Sequence, residues 1–329
     1  MNSITNAITI TNIRNNKSTA FGKYGKLHVS GRHLCDEKDN IISLRGVSTH
    51  NLSSYPRYIN NETFSWLVDE CGVDIIRLAM YSVNADGDNG YSDGDIKHKQ
   101  ELIDLILKGV KICSSLGIYC LIDWHILFDY NPKFNQESAK DFWNKICPLL
   151  KDFDNVIYEI CNEPNMNLDT KEIASWQDIK DYSNDIIPLI RSLDPNKIII
   201  VGTPIWSQNV DEAADSPLSF DNIMYTLHFY ADSHRENIRS KMEYAVSKNL
   251  PIFVTEYGPC DASGAGDINE EQTMIWLNAL KKESISFIVW NLSNKDETSA
   301  FIKPDCDKLS FNDNDLTDGG LLMKRAIKL

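Results

Sequence analysis

The amino-acid sequence predicts a single α/β domain folded as a (β/α)8 TIM barrel. Its 329 residues suit one large domain of alternating strands and helices. Short apolar, β-branched runs, typical of parallel strands buried on both faces, occur eight times, at 42–47, 73–79, 118–123, 156–161, 198–202, 223–228, 252–256 and 286–290. Apolar stripes with helical spacing lie between many of these runs, at 100–116, 139–150, 176–193, 233–247 and 270–280.

An open, doubly wound parallel sheet is the alternative arrangement of the same elements. That fold commonly binds nucleotides, but neither a Gly-x-Gly-x-x-Gly motif nor a Walker lysine loop occurs. The number of strands and their alternation with helices favour the closed barrel.

The N-terminal segment differs in character from the rest of the chain. Residues 1–22 are polar and predict a flexible arm, which leaves 23–329 for the barrel domain. The segments 26–29 and 41–44 flank the turn-rich stretch 35–40, which predicts a short hairpin at the bottom of the barrel. No apolar signal-peptide core and no apolar run of about 18 residues occur, so neither a signal peptide nor a membrane partner is expected.

Composition narrows the possible partners. A formal net charge of −14 repels phosphate backbones, so nucleic acid is not an expected partner, whereas a neutral polysaccharide is compatible with this charge. The eight cysteines form no Cys-x-x-Cys pair and several lie in apolar runs. They therefore predict buried, reduced thiols, with neither a disulfide framework nor a metal site.

Polar and aromatic residues follow the predicted strands, whose carboxyl ends meet at one mouth in a barrel. Glu163 follows the fourth run and Glu256 ends the seventh, so their side chains are expected to face each other. Glycoside hydrolysis needs one protonated and one ionised carboxyl group. Arg77 and Tyr230 are positioned to keep Glu256 ionised, and Asn162 offers an amide to a sugar hydroxyl. Trp206 and Trp290 offer flat faces for sugar rings.

These residues belong to segments that resemble glycoside hydrolase family 5, most closely its bacterial endoglucanases of subfamily 2. The likeness runs from about residue 27 to the C-terminus. The matching segments, in chain order, are Leu44-Arg45-Gly46 with His50, Arg77-Leu78-Ala79-Met80-Tyr81, Ile122-Asp123-Trp124-His125, Asn162-Glu163-Pro164, Ile199 to Thr203 with Trp206-Ser207-Gln208, His228-Phe229-Tyr230, Phe253 to Gly258, and Trp290 to Ser293 with Lys295 and Glu297.

The resemblance implies a retaining endo-β-1,4-glucanase in which Glu163 is the acid/base and Glu256 the nucleophile. It implies that Arg77 and Tyr230 hold the nucleophile and that Asn162 binds the 2-hydroxyl. Further residues of the cleavage subsite would be His50, His125, His228 and Trp290, and neighbouring sugar sites would include Tyr81, Trp206, Lys295 and Glu297. It also implies a β-glucan substrate, no cofactor, a monomer and an extracellular location.

Two segments depart from the family pattern. Asn51 follows His50, and Ser54-Tyr55 stands where the family usually has a Trp-Phe pair, so the outer glycone subsite is expected to be weaker unless Tyr55 substitutes. The loop 84–95 is acidic enough to suggest a calcium site. However, Asn89 stands where the EF-hand pattern requires glycine, so a solvated loop is predicted.

Alternative functions remain open at the level of sequence. A metal-dependent barrel hydrolase would use His50, His125 and His228 as ligands, although the His-x-His pair that would support it is absent. A non-catalytic sugar-binding protein should have lost Glu163, Glu256 or Arg77, and all are present. Mannan, xylan and mixed-linkage glucan remain alternative substrates, since loop shape decides which sugars fit.

Overall fold

The centre of the molecule is a closed barrel of eight parallel strands. The structure, a computed structural model, describes residues 18–83 and 89–329. The barrel strands are β3 Arg45–Thr49, β4 Ile75–Tyr81, β5 Tyr119–His125, β6 Val156–Glu159, β7 Ile199–Val201, β8 Ile223–Tyr230, β9 Ile252–Gly258 and β10 Ser286–Leu292. Each strand pairs with the next along the chain, and β10 pairs with β3 to close the barrel. The predicted fold class is confirmed, and each of the eight predicted runs overlaps a barrel strand.

Helices surround the barrel, and each of the five predicted stripes overlaps one. These are α3 Ile96–Leu116, α4 Gln136–Leu150, α5 Trp176–Leu193, α8 Glu236–Ser247 and α9 Glu270–Glu283. The other helical segments are α1 Ala20–Tyr24, α2 Asn61–Trp66, the π-helical turn Leu67–Cys71, α6 Pro204–Ser207, α7 Val210–Asp215, α10 Asp318–Ile327 and the 3-10 turns Pro56–Tyr58 and Asp313–Asp315. Among the described residues, no helix is both long enough and apolar enough to cross a membrane.

The N-terminal hairpin exists and its first strand overlaps the predicted segment 26–29, but its turn and its second strand were predicted in the wrong place. β1 His28–Ser30 pairs with β2 His33–Cys35, so the chain reverses at Gly31. Gly31 has φ 56°, a left-handed conformation that glycine adopts at little cost. The predicted turn at 35–40 is a second reversal, which returns Ile41 to β2 only through an isolated bridge.

Two predicted segments fall partly outside the described residues. Residues 1–17 of the predicted arm lie outside them, and α1 crosses the predicted boundary between arm and barrel at residue 22. Residues 84–88 of the acidic loop also lie outside them. The rest of that loop leads into α3, whose first turn is capped by the Asp95 carboxylate accepting from the His98 backbone N–H at 2.8 Å.

The apolar interior has two main layers. One fills the space between the strands and the surrounding helices. The other closes the lower end of the barrel, where the strands begin, and includes Leu27 and Leu34 from the hairpin region. Its remaining buried members are Ile42, Leu44, Ile75, Tyr119, Leu121, Ile157, Ile198, Ile200, Met224, Phe253 and Ile288. The hairpin therefore covers the bottom of the barrel, as predicted.

Two glycines allow the close approaches that shape the barrel. A Cβ on Gly46 would lie 2.2 Å from the backbone oxygen of Ile75 in the neighbouring strand. A Cβ on Gly202 would lie 2.2 Å from the backbone oxygen of Cys161, next to the segment that carries Glu163. Because no side chain fits at either position, glycine here keeps neighbouring backbone segments in contact.

The cysteines are unpaired, and all but one are buried. Cys306 is only partly buried, whereas the other seven lie in the interior. The predicted buried thiols are therefore found at seven of the eight positions, and the stability of the fold does not depend on a disulfide.

Candidate active site

Two glutamates face each other at the mouth of the barrel. Glu163 follows β6, and Glu256 lies within β9. A carboxylate oxygen of each, together with a ring nitrogen of His228, all lie within 4.8 Å of one another. Carboxyl groups about 5–5.5 Å apart are typical of retaining glycosidases, whereas inverting enzymes separate them by about 6.5–9.5 Å. The separation therefore fits a retaining pair.

Glu256 is held by two donors. Tyr230 donates its hydroxyl to Oε1 at 2.9 Å, and Arg77 Nη1 lies 3.3 Å from Oε2. Burial raises the pKa of Glu256 to about 7, while Arg77 and the Tyr230 hydrogen bond work against that rise. Both contacts stabilise the ionised form, which is the form that a nucleophile requires.

Arg77 is fully buried at the centre of the polar network. Its Nε donates to Glu159 Oε2 at 2.8 Å, and its Nη2 lies 2.9 Å from Asp123 Oδ2 and 2.5 Å from Asn162 Oδ1. Burial opposes its charge, but three surrounding carboxyl groups raise the pKa of Arg77 above its ordinary value. Arg77 therefore remains a cation and fixes the positions of its neighbours.

Glu163 lies in the opposite electrostatic situation. Its Oε1 is 2.9 Å from His228 Nδ1, and no arginine contacts it directly among the described residues. Burial, followed by the charge of Glu256, raises the pKa of Glu163 well above its ordinary value. The two carboxyl groups are therefore arranged for different protonation states, with the proton on Glu163.

Three histidines of the mouth, His50, His125 and His228, are buried and uncharged. Burial lowers the pKa of His50 to about 3 and lowers the pKa values of His125 and His228 well below the ordinary range. His125 Nδ1 lies 2.7 Å from Asp123 Oδ2, and its Nε2 lies 3.2 Å from the amide nitrogen of Asn162. These rings therefore act as neutral hydrogen-bonding groups that orient their neighbours.

Comparison with known proteins agrees with this geometry. Residues 35–296 match the model of the family described as Cellulase (glycosyl hydrolase family 5). The chain is 43% identical over 300 residues to Endoglucanase A of Butyrivibrio fibrisolvens. The aligned region covers 91% of this chain and 67% of that protein. It is also 43% identical over 312 residues to an endoglucanase of Clostridium saccharobutylicum, covering 94% of this chain and 66% of that protein.

The chain belongs to glycosyl hydrolase family 5.

Solved structures agree with the family assignment. The structure titled Cellulase Cel5C_n has a TM-score of 0.88 and 38% identity, covering 95% of each chain. The catalytic domain of Thermobifida fusca endoglucanase Cel5A in complex with cellotetraose has a TM-score of 0.86 and 31% identity, covering 94% of this chain and 100% of that one. This family 5 chain spans 67%, 66% and 51% of the lengths of three curated relatives.

A cleft of about 550 Å³ opens above the two glutamates of this family 5 barrel. It is lined by most of the predicted site residues, namely His50, Tyr81, His125, Glu163, Trp206, His228, Tyr230, Glu256, Trp290, Lys295 and Glu297. Arg77 and Asn162 do not line the cleft but are buried. Tyr55 lies behind His50, with the ring centroids 5.0 Å apart, and is also absent from the lining.

Aromatic rings form one wall of the cleft. His125 stacks on Tyr81 with ring centroids 4.1 Å apart and lies nearly parallel to Trp290, with centroids 5.4 Å apart. His50 contacts Trp290 with centroids 5.1 Å apart. The packing holds Trp290 in one orientation at the edge of the cleft, where its remaining surface is available to a sugar ring.

A charged pair extends the cleft beyond this wall. Lys295 Nζ lies 2.8 Å from Glu297 Oε2, and the other carboxylate oxygen of Glu297 accepts from the Asn291 amide and the Ser299 hydroxyl, each at 2.8 Å. The carboxylate is therefore fixed in place. Lys295 is more exposed and is directed into the cleft lining.

The turn that carries Trp206 is strained. Ile205, Trp206 and Ser207 have φ values of 56°, 52° and 56°, in the left-handed region that costs non-glycine residues about 1–2 kcal/mol each. The Trp206 backbone N–H donates to Pro164 O at 3.0 Å, and the Ser207 hydroxyl donates to Asn162 O at 2.6 Å. The strained turn is thus bonded to the segment that carries Glu163.

Sequence reasoning missed several lining residues and two buried contacts. The missed lining residues are Leu127, Phe128, Ile205, Gln208, His234, Ala262, Ser263 and Gly264. Most lie one to eight residues beyond a strand end, and Gln208 was already visible beside Trp206. Asp123 and Glu159 were not among the predicted site residues. Both are fully buried and act on the site through Arg77, a contact that no local sequence pattern predicts.

Proposed function

We propose that this chain is a retaining endo-β-1,4-glucanase that hydrolyses internal bonds of β-glucan. The observation that carries the proposal is the pairing of Glu163 and Glu256 within 4.8 Å, one carboxyl beside a neutral histidine and the other beside Arg77. The names of the relatives, endoglucanase and cellulase, support the same substrate class.

The reaction follows from the two carboxyl groups. Glu256 attacks the anomeric carbon while Glu163 transfers its proton to the departing glycosidic oxygen, which leaves a covalent glycosyl-enzyme. Glu163, now ionised, removes a proton from water as that water attacks the same carbon. The product leaves with its original anomeric configuration, Glu163 is protonated again, and Glu256 is released as a carboxylate.

The surrounding residues position the sugar chain. Asn162 has a carbonyl lone pair beyond the one that accepts from Arg77, and we assign it to the hydroxyl next to the reacting carbon. Trp290 supports the ring at the cleavage site, and Lys295 bonds to the next sugar. Trp206 belongs to the turn that is bonded to the segment of Glu163, and we assign it to support of the departing chain. Tyr55 packs against His50 with ring centroids 5.0 Å apart, and we keep it as the substitute aromatic residue of the outer glycone subsite.

The same proposal covers the wider setting of the protein. We assign residues 23–329 to the catalytic domain and expect it to act as a monomer on an extracellular polysaccharide, without a cofactor. The formal charge of −14 presents no obstacle to an uncharged glucan. A related β-glycanase acting on mannan, xylan or mixed-linkage glucan is the alternative, because the same carboxyl pair serves each of them.

The metal-dependent alternative is disfavoured by the contacts of the donors. Glu163, His228 and Glu256 have the ligand types of a metal site. However, Nδ1 and Nε2 of His228 already bond to Glu163 and Thr255, and the cationic Arg77 contacts Glu256. A metal ion bound to the ring nitrogen of His228 that faces the two glutamates would have to displace its hydrogen bond with Glu163 and lie beside a guanidinium.

The deciding experiment combines hydrolysis with covalent trapping. The purified chain is assayed for reducing-sugar release from soluble cellulose, mixed-linkage glucan, mannan and xylan, before and after exhaustive chelation. It is then incubated with 2,4-dinitrophenyl 2-deoxy-2-fluoro-β-cellobioside, and the labelled peptide is located by mass spectrometry. We expect release from soluble cellulose that chelation does not change, and a label on Glu256. A label elsewhere, or binding without cleavage, would refute the proposal.

A further inference from the structure

A buried chain of hydrogen bonds links Glu159 to the proposed acid Glu163. Thr255 Oγ1 lies 2.6 Å from Glu159 Oε1 and 2.8 Å from His228 Nε2. The other ring nitrogen of His228, Nδ1, lies 2.9 Å from Glu163 Oε1. Thr255 is fully buried, so water cannot replace any of these partners.

The direction of these bonds follows from counting hydrogens at the Thr255 hydroxyl. It has one hydrogen but three neighbours, since the Thr226 hydroxyl also lies 2.6 Å away. The Glu159 carboxylate can only accept, and it already accepts from Arg77 Nε at 2.8 Å. The hydrogen of Thr255 therefore goes to Glu159, and its lone pairs accept from Thr226 and from His228 Nε2.

The tautomer of His228 then determines where the proton of Glu163 lies. A neutral imidazole has one N–H, and that N–H is on Nε2 because it must donate to Thr255. Nδ1 is consequently bare and can only accept. The bond between Nδ1 and Glu163 Oε1 then requires a hydrogen on the carboxyl group, so Glu163 is the donor.

We propose that Thr255 is a positioning residue for the acid: its hydroxyl holds His228 in the Nε2–H tautomer, whose bare Nδ1 accepts a hydrogen bond from the protonated carboxyl group of Glu163. This inference rests on the proposed role of Glu163. The proton that reaches the departing sugar oxygen is the one on Glu163, the Glu163 O–H bond breaks as the sugar O–H bond forms, and His228 stays neutral throughout.

Burial and the charges around this chain of hydrogen bonds also favour a neutral His228 and a protonated Glu163. Burial lowers the pKa of His228 well below its ordinary range, helped by Arg77, His125 and His234, so the ring has only one N–H. Burial also raises the pKa of Glu163, and the groups that face it are His228, Glu256, Arg77, Asp123 and Glu159. Burial raises the pKa of Glu159 as well, and direct contact with Arg77 opposes that rise and favours the acceptor form.

The first test replaces the hydroxyl with a methyl group of similar size, as Thr255→Val. Without the acceptor for Nε2–H, the ring can adopt the Nδ1–H tautomer, which donates to Glu163 and favours its carboxylate. We expect kcat/KM for cellotetraose to fall about 10–100-fold, a large part of a typical general-acid contribution. Hydrolysis of 2,4-dinitrophenyl β-cellobioside, whose leaving group needs no proton, should fall no more than about threefold in its first step.

The pH profile supplies a second readout. Because the pKa of Glu163 falls in Thr255→Val, the high-pH limb for cellotetraose should move to lower pH by about one unit. Thr255→Ser, which keeps the hydroxyl, should restore the wild-type limb. Equal losses on both substrates with an unmoved limb would overturn the proposal, since they would indicate a structural role or an effect on Glu256.

Two controls keep the test independent of folding and of the proposed function. In the wild-type enzyme, the ¹⁵N shifts of the His228 ring should report a bare Nδ1 and a protonated Nε2, and the opposite tautomer would overturn the proposal even if Thr255→Val does not fold. Glu163→Ala should lose cellotetraose hydrolysis but retain the first step with the dinitrophenyl substrate. If Glu163→Ala does not show this difference between the two substrates, the assignment of Glu163 as the acid is wrong. If Glu163→Ala shows the difference and Thr255→Val does not, only the inference about Thr255 fails.

Discussion

The two ends of the barrel have opposite chemistry. The lower end is closed by aliphatic and aromatic side chains, including Leu121 and Ile200, and by the hairpin. The upper end buries Arg77 among carboxyl groups and neutral histidines. Burial of apolar surface stabilises the fold, whereas clustered buried charges contribute little net stability and serve the site instead. The same eight strands therefore provide stability at one end and reactivity at the other.

The substitution with the largest expected effect on kcat is at the upper end of the barrel. It should leave the free energy of unfolding almost unchanged. Glu256→Gln keeps the shape of the side chain but removes the nucleophile, so kcat on soluble cellulose should fall about 10⁴-fold or more. Oligosaccharide binding, measured by calorimetry with cellotetraose, should persist. A variant that kept near-normal turnover would contradict the assignment of Glu256.

At the lower end the pattern should reverse. Leu121 lies in β5 and is fully buried in the apolar layer that closes the lower end of the barrel. Leu121→Ala should lower the free energy of unfolding by about 2–5 kcal/mol, while kcat stays unchanged at temperatures where the protein remains folded. Leu121→Met, which roughly conserves volume, should cost less than about 1.5 kcal/mol. Denaturant unfolding and kinetics on the same samples measure the free energy of unfolding and kcat of each variant. A loss of kcat that accompanies the loss of stability would show that the two ends of the barrel are not independent.

A subtler change at the mouth should move the pH profile. Glu256 must be ionised, and its pKa is about 7, so kcat/KM should decline as the pH falls through that value. Tyr230→Phe removes the hydrogen bond to Oε1, which stabilises the ionised form. We therefore expect the low-pH limb to move to higher pH, and kcat/KM to fall about 10–100-fold, the equivalent of about 1.5–3 kcal/mol for a bond to a charged group. A low-pH limb that does not move in Tyr230→Phe would argue against a stabilising contact between Tyr230 and Glu256.

The smallest expected effect tests how the hairpin is attached. Asn222 Oδ1 accepts from the Val29 backbone N–H at 2.8 Å, and Asn222 has φ 56°. Asn222→Gly tolerates that conformation but loses the bond, so unfolding should become easier by about 1 kcal/mol. Asn222→Ala should cost about 1 kcal/mol more because of the left-handed backbone. Neither should change kcat, and a kinetic effect would mean that the bottom of the barrel communicates with the mouth.

Sequence reasoning located most of the site because barrel topology is regular. Each apolar run predicted a strand, and the carboxyl ends of parallel strands meet at one mouth, so Glu163, Glu256 and Trp290 were predicted from their positions, whereas His125 was implied by the family resemblance. The hairpin turn was misplaced because both Gly31 and the stretch 35–40 favour a turn. Only the observed pairing of β1 with β2 shows that the hairpin reverses at Gly31.

The sequence by itself determined the barrel, the strand count and the two glutamates, since strand periodicity and strand-end chemistry are local properties of the chain. The tertiary structure alone decided which groups touch. Examples are Glu159 reaching Arg77 and Thr255, and the Trp206 turn bonding to the segment of Glu163. These contacts join residues 42 to 96 positions apart, and their geometry depends on the register and twist of strands that no local pattern specifies.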